Sequence, residues 1–138
     1  MKAVCHTCKE EVSGDDGVVH VSHTLVGECE RRDRAAHAGG GSEVNLLAYF
    51  DENGRVVEAP WEVLCDKCRP ADHDCYMCYW FEVGRIDNWA KLIDWTSHLM
   101  EKTWLVYTNW DKFIRSATQA GDGPGLSTVN GSTKRVDA

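Results

Sequence analysis

The sequence predicts an α+β chain, a small β module followed by a helical hairpin. Three observations predict it. Six of the seven cysteines fall in three C-x-x-C pairs, Cys5/Cys8, Cys65/Cys68 and Cys75/Cys78. Short apolar runs with two-residue alternation or an Asn-Gly turn separate the first pair from the other two. After Trp80 the apolar period changes to that of a helix.

The cysteine pairs carry the most chemistry. Two thiolates three positions apart on a tight turn can face one ion, and two such turns close a tetrahedral zinc site. Cys5/Cys8 and Cys65/Cys68 are the favoured grouping, since closing a long loop costs only logarithmically in its length. Pairing Cys65/Cys68 with Cys75/Cys78 is the competing one. Cys75/Cys78 would hold a second ion with help from His73, His98, Asp94, His23 or His20, or would be a plain thiol pair. One zinc ion is expected, with a second as the alternative.

Taken in order, Val18 to Val26 reads as a strand with Val19, Val21, His23 and Leu25 on one face and His20 on the other. His23 is either a hydrogen-bonded core histidine or a metal ligand. From Gly27 to Ser42 charge, alanine and three consecutive glycines predict a long flexible loop, with Cys29 a free thiol. Val44 to Phe50 and Arg55 to Glu58 flank Asn53-Gly54, a hairpin signal because both residues accept positive φ. Each of the first two cysteine pairs thus adjoins a β segment, the arrangement of a zinc-ribbon or treble-clef module. Residues 1–82 form this module and 83–119 a helical segment packed on it. Residues 85–102 form the first helix, with Asp87 as N-cap, and 110–117 the second, opened by Thr108 and Asp111 in a capping-box relation. Residues 120–138 are polar and glycine-rich and read as a disordered tail.

The formal charge is −7, and a four-thiolate zinc site adds about −2. Phosphate binding needs the opposite balance, so general nucleic-acid affinity is disfavoured. No run approaches the ~20 apolar residues of a membrane span, and the N-terminus lacks a signal-peptide core, so the chain is expected in the cytoplasm. No phosphate loop, nucleophile elbow or catalytic acid pair is present, and no catalytic residue is assigned.

Three resemblances add expectations. Cys5-x-x-Cys8, Trp61, Cys65-x-x-Cys68 and Cys75-x-x-Cys78 resemble the first two thirds of a LIM-type double zinc module. His20 or His23, Asn45 and the Cys65/Cys68 knuckle resemble His-Asn-His nucleases, which would imply metal-dependent phosphodiester cleavage. The run YWFEVGRIDNWAKLIDWTSHLMEKTWL with a preceding C-x-x-C module is similar to small uncharacterised cysteine-rich proteins of actinobacteria and their phages, which implies action in a bacterial cytoplasm. The main expectation is a zinc-stabilised, non-catalytic module that binds and modulates a protein partner, such as a phage-encoded regulator of a host protein. The nuclease is the alternative. A DNA-binding regulator comes third, weakened by the balanced charges of the helical segment.

Overall fold

A computed structural model describes residues 2–69, 78–119, 125–127 and 133–134. Its elements run β1 (Lys2–Val4), β2 (Glu11–Val12), β3 (Gly17–Val21), α1 (His23–Ala36), β4 (Arg55–Val56), β5 (Trp61–Cys65), β6 (Tyr79–Glu82), α2 (Trp89–Leu99), α3 (Trp110–Gln119), β7 (Gly125–Leu126) and β8 (Thr133–Lys134). Short 3-10 turns occupy Leu46–Tyr49, Val83–Ile86 and Leu105–Tyr107. The chain is therefore mixed α+β, with small sheets and three helices.

The central sheet has the order β5-β3-β6, antiparallel throughout. Alternation on β3 sends Val19 and Val21 into the core, where neither is exposed. His20 takes the other face, opposite Glu62 on one neighbour and Trp80 on the other. A second sheet, β2-β1-β7, carries the first cysteine knuckle between β1 and β2. β4 pairs with β8.

The core is built on indoles. Trp61 on β5 is fully buried, and its ring lies 5.0 Å from that of Trp110, 5.9 Å from those of Tyr79 and Phe81, and 6.1 Å from that of Trp104. Edge-to-face and tilted contacts of this kind add to the area buried. Trp104 and Trp110 belong to the helical part and Trp61 to the cysteine-bearing strand, so one aromatic cluster joins the two.

Several expectations are corrected. The strand expected to reach Val26 ends at Val21, because the Ser22 side chain accepts a hydrogen bond from the Leu25 amide and starts a helix. The stretch expected as a flexible loop from Gly27 is helical to Ala36, and only then do Gly40 and Gly41 turn the chain at positive φ. Glu28, Arg32 and Asp33 are engaged. Glu28 pairs with Arg32 one turn on, and Arg32 donates to the carbonyl of Phe50 at 2.9 Å. Val26, Cys29 and Ala36 form the buried side of α1.

The Asn53-Gly54 turn is present, with Gly54 at φ 73° and the amide of Gly54 bonded to the Asp51 carbonyl. The arm before it is a 3-10 turn, capped by Asn45, that meets the other arm in a bridge between Phe50 and Val56. Helix α2 is capped by Asn88, one residue later than expected, since Asp87 ends the preceding 3-10 turn. Leu126, expected in a disordered tail, is a core residue on β7, 1% exposed and parallel to β1.

Candidate metal centre

The four sulfurs of Cys5, Cys8, Cys65 and Cys68 all lie within 4.8 Å of one another. The first pair sits in the turn between β1 and β2. There the Cys5 amide bonds to the Glu10 carbonyl and the Lys9 amide to the Cys5 carbonyl, with Lys9 at φ 65°. The second pair closes β5, where the amides of Cys68 and Arg69 both reach the Cys65 carbonyl. Both knuckles thus fold back over their first cysteine.

What brings them together is backbone pairing. The His6 amide donates to the Val63 carbonyl at 2.7 Å, and the Cys65 amide donates to the Cys5 sulfur at 3.4 Å. The Asp66 amide reaches the Asp16 carbonyl, so the turn before β3 supports the second knuckle as well. At Gly17, opposite Cys65 in the sheet, a Cβ would stand 2.5 Å from the Leu64 carbonyl oxygen. The close approach of strands here requires glycine. Sequence reasoning passed over Gly17, whose only signal is a glycine at the start of an alternating run.

The geometry suits a tetrahedral ion. With bonds of about 2.3 Å, adjacent sulfurs of a zinc tetrathiolate lie about 3.8 Å apart, and Cys8 and Cys65 are separated by 3.8 Å. Cys5 is buried, Cys65 and Cys68 half-buried and Cys8 exposed. The four cysteines carry no disulfide.

Electrostatics within the cluster point the same way. Burial raises the Cys5 thiol, but backbone hydrogen bonds from Cys8, Cys65 and Thr7 and the neighbouring Cys8 thiol outweigh it and bring Cys5 down to about 6. The Cys68 thiol is pushed up to about 12 by its contact with Cys65, followed by desolvation and the Cys5 and Cys8 thiols. Cys8 is also raised: the Glu10 backbone favours its thiolate, but desolvation and the Cys5 and Cys65 thiols oppose it. Like charges in one small space resist repeated ionisation, and a divalent cation at the centre removes that resistance.

The remaining candidate residues are scattered. His23 opens α1 with its ring edge-on to Trp104 at 5.6 Å, and His98 stacks on Trp95 at 4.6 Å on α2. Neither joins the four-sulfur cluster, which is the one group of three or more metal-ligating side chains among the described residues. Asp94 lines a cleft beside Arg85 and Trp95. Asn45 caps a 3-10 turn. Cys78, just before β6, is disulfide-bonded. His73 and Cys75 lie outside the described residues. Cys29 is buried in α1 with its thiol pushed up to about 11 by desolvation and Glu28, and it donates to the Val57 carbonyl at 3.5 Å.

The arrangement can hold an ion in a closed shell of four sulfurs. Such a shell has no open position for a water, so its chemistry is cohesive. No helix among the described residues is long and apolar enough to cross a membrane. Comparison with known proteins found no matching family model, no matching characterised protein and no matching solved structure.

Proposed function

We propose that the chain is a zinc-stabilised, non-catalytic interaction module that binds and modulates an intracellular protein partner. The observation that carries the reading is the Cys5/Cys8/Cys65/Cys68 cluster, whose sulfurs lie within 4.8 Å and include a pair at the tetrahedral spacing. All-thiolate ligation favours zinc among divalent ions of the cell interior. Four sulfurs leave no site for substrate, which assigns the ion a structural role.

Support for the interaction role comes from what the zinc-clasped fold leaves outside. Leu46, Leu47 and Val106, carried on two of the 3-10 turns, are exposed large apolar side chains, each more than half exposed. The formal charge of −7 disfavours nucleic acid as the partner.

Native mass spectrometry of protein purified with zinc tests the first half, with one ion per chain expected. Cobalt substitution should give the sulfur-to-metal charge-transfer absorption of a tetrahedral thiolate site. A chain that binds no ion, or keeps its cooperative melt after complete chelation, overturns the zinc reading. Incubation with plasmid and magnesium or manganese tests the non-catalytic half, and cleavage that survives purification would overturn it. For the partner, immobilised zinc-loaded protein should retain a cytoplasmic protein in fixed stoichiometry, and no retention above an unfolded control counts against the role.

A further inference from the structure

Between α2 and α3 runs an open groove of about 680 Å³, lined by Trp89 and Ile93 of α2, by Met100 at the C-cap of α2, and by Asp111, Ile114 and Arg115 of α3. Trp89, Ile93 and Met100 are spaced four and seven residues apart, so they form one stripe along the helix. They are 45%, 69% and 72% exposed. Leu92 and Leu99 are the buried residues of α2, and Leu92 also lines the groove, so the exposed stripe continues the buried face outward as apolar surface that the described residues leave open.

We infer that this face is covered by a second copy of the same chain, in a two-fold dimer whose centre is the α2–α3 groove. This goes beyond the module's proposed partner binding and does not depend on it. A two-fold interface must be complementary to itself, with each residue meeting its partner's counterpart in exchange. The stripe meets that condition. In an antiparallel pairing of α2 with its copy about the point between Asp94 and Trp95, Trp89 meets Met100 at both ends and Ile93 meets Thr96 near the axis. A large indole against a flexible thioether and a branched aliphatic against a small side chain fill space without clash.

Charge on the α3 side of the groove is self-complementary too. Asp111 and Arg115 are one turn apart, both exposed and both lining the groove. With the proposed axis crossing α3 midway between them, the rotation reverses their order, so the acid of one copy is offered to the base of the other, twice per dimer. A groove for a strongly basic or strongly acidic partner would carry one sign of charge. This one carries one of each.

Sedimentation of the zinc-loaded full chain across the micromolar range is the test. The expected result is a species of twice the 15.5 kDa chain mass. Ile93→Glu places a charge at the centre of the stripe at a site the monomer leaves exposed. It should give a monomer with unchanged zinc content and an unchanged far-ultraviolet circular dichroism spectrum. Arg115→Asp should weaken the dimer by roughly fivefold, through two lost pairs and two like-charge contacts. The exchange Asp111→Arg with Arg115→Asp should restore it. A chain that stays monomeric throughout overturns the proposal. So does a dimer indifferent to Ile93→Glu, or one in which the charge exchange is no better than Arg115→Asp alone.

Discussion

The indole nitrogen of Trp61 donates to the hydroxyl of Thr108 at 2.9 Å, in a fully buried contact between residues 47 positions apart. Beside it the Trp61 amide donates to the Asn109 side-chain oxygen, also at 2.9 Å. The Thr108 hydroxyl in turn donates to the Leu105 carbonyl. The strand that ends in the second cysteine knuckle is thereby latched, through its first residue, to the turn before α3.

That latch makes Thr108→Val informative. The substitution keeps the volume and leaves a buried indole N–H unpaired, which costs about 1–3 kcal/mol. Thermal unfolding of the zinc-loaded protein should shift down accordingly, while zinc stoichiometry stays the same. An unchanged melting temperature would show that the latch contributes nothing.

Metal ligation separates the cysteines. Cys8→Ser and Cys68→Ser should each abolish the cobalt charge-transfer band and lower stability sharply, since structural zinc contributes on the order of 10 kcal/mol to a small module. Cys29→Ser should leave the band intact. In the native protein Cys29 should also resist alkylation at neutral pH, because its thiol is buried and raised to about 11. Thiol titration with and without chelator reads both.

Asp33 on α1 accepts hydrogen bonds from the hydroxyls of Tyr49, at 2.7 Å, and Tyr107, at 3.1 Å, and these two bonds hold its carboxyl below the usual range. A carboxyl depressed in the folded state contributes stability that is present above its unfolded value of about 3.9 and is lost as pH falls through the folded one. Both tyrosines are raised, chiefly by the same bonds to Asp33. Their contribution is full below about pH 10 and is lost as pH rises through the folded values. Asp33→Asn should therefore flatten the acid side of the stability profile and move the tyrosine ionisation, followed by absorbance, to lower pH.

Gly17→Ala should be more damaging than its size suggests. The added methyl would meet the Leu64 carbonyl oxygen and a methyl of Val12, both at 2.5 Å, and a backbone oxygen cannot rotate away. A loss of about 1–3 kcal/mol is expected from overpacking. Because Gly17 faces Cys65, zinc affinity should fall as well, measured by competition with a chromogenic chelator.

The candidate site was legible because C-x-x-C spacing is a local signal with a rigid chemical meaning, and the favoured pairing of Cys5/Cys8 with Cys65/Cys68 is the one the fold assembles. The alternation at Val19 and Val21, the turn at Gly54 and the two C-terminal helices were legible for the same reason. Helix α1 was not. Its buried side is three small or medium residues, Val26, Cys29 and Ala36, so no apolar stripe stands out from the charges. Its stability comes from tertiary partners, above all Arg32 gripping the carbonyls of Ala48 and Phe50. Leu126 was equally hidden, because a two-residue strand has no period and its partner lies over a hundred positions away.

That parallel pairing of Gly125–Leu126 with Lys2–Ala3 has a kinetic consequence. The segment that presents Cys5 and Cys8 is flanked by its neighbour β2 on one side and by β7 on the other, so it cannot settle fully while β7 is still inside the ribosome. Contacts of such span slow the search for the native state. The thiols of the first knuckle must wait, undocked on one flank, for a stretch more than a hundred residues further along the chain to arrive.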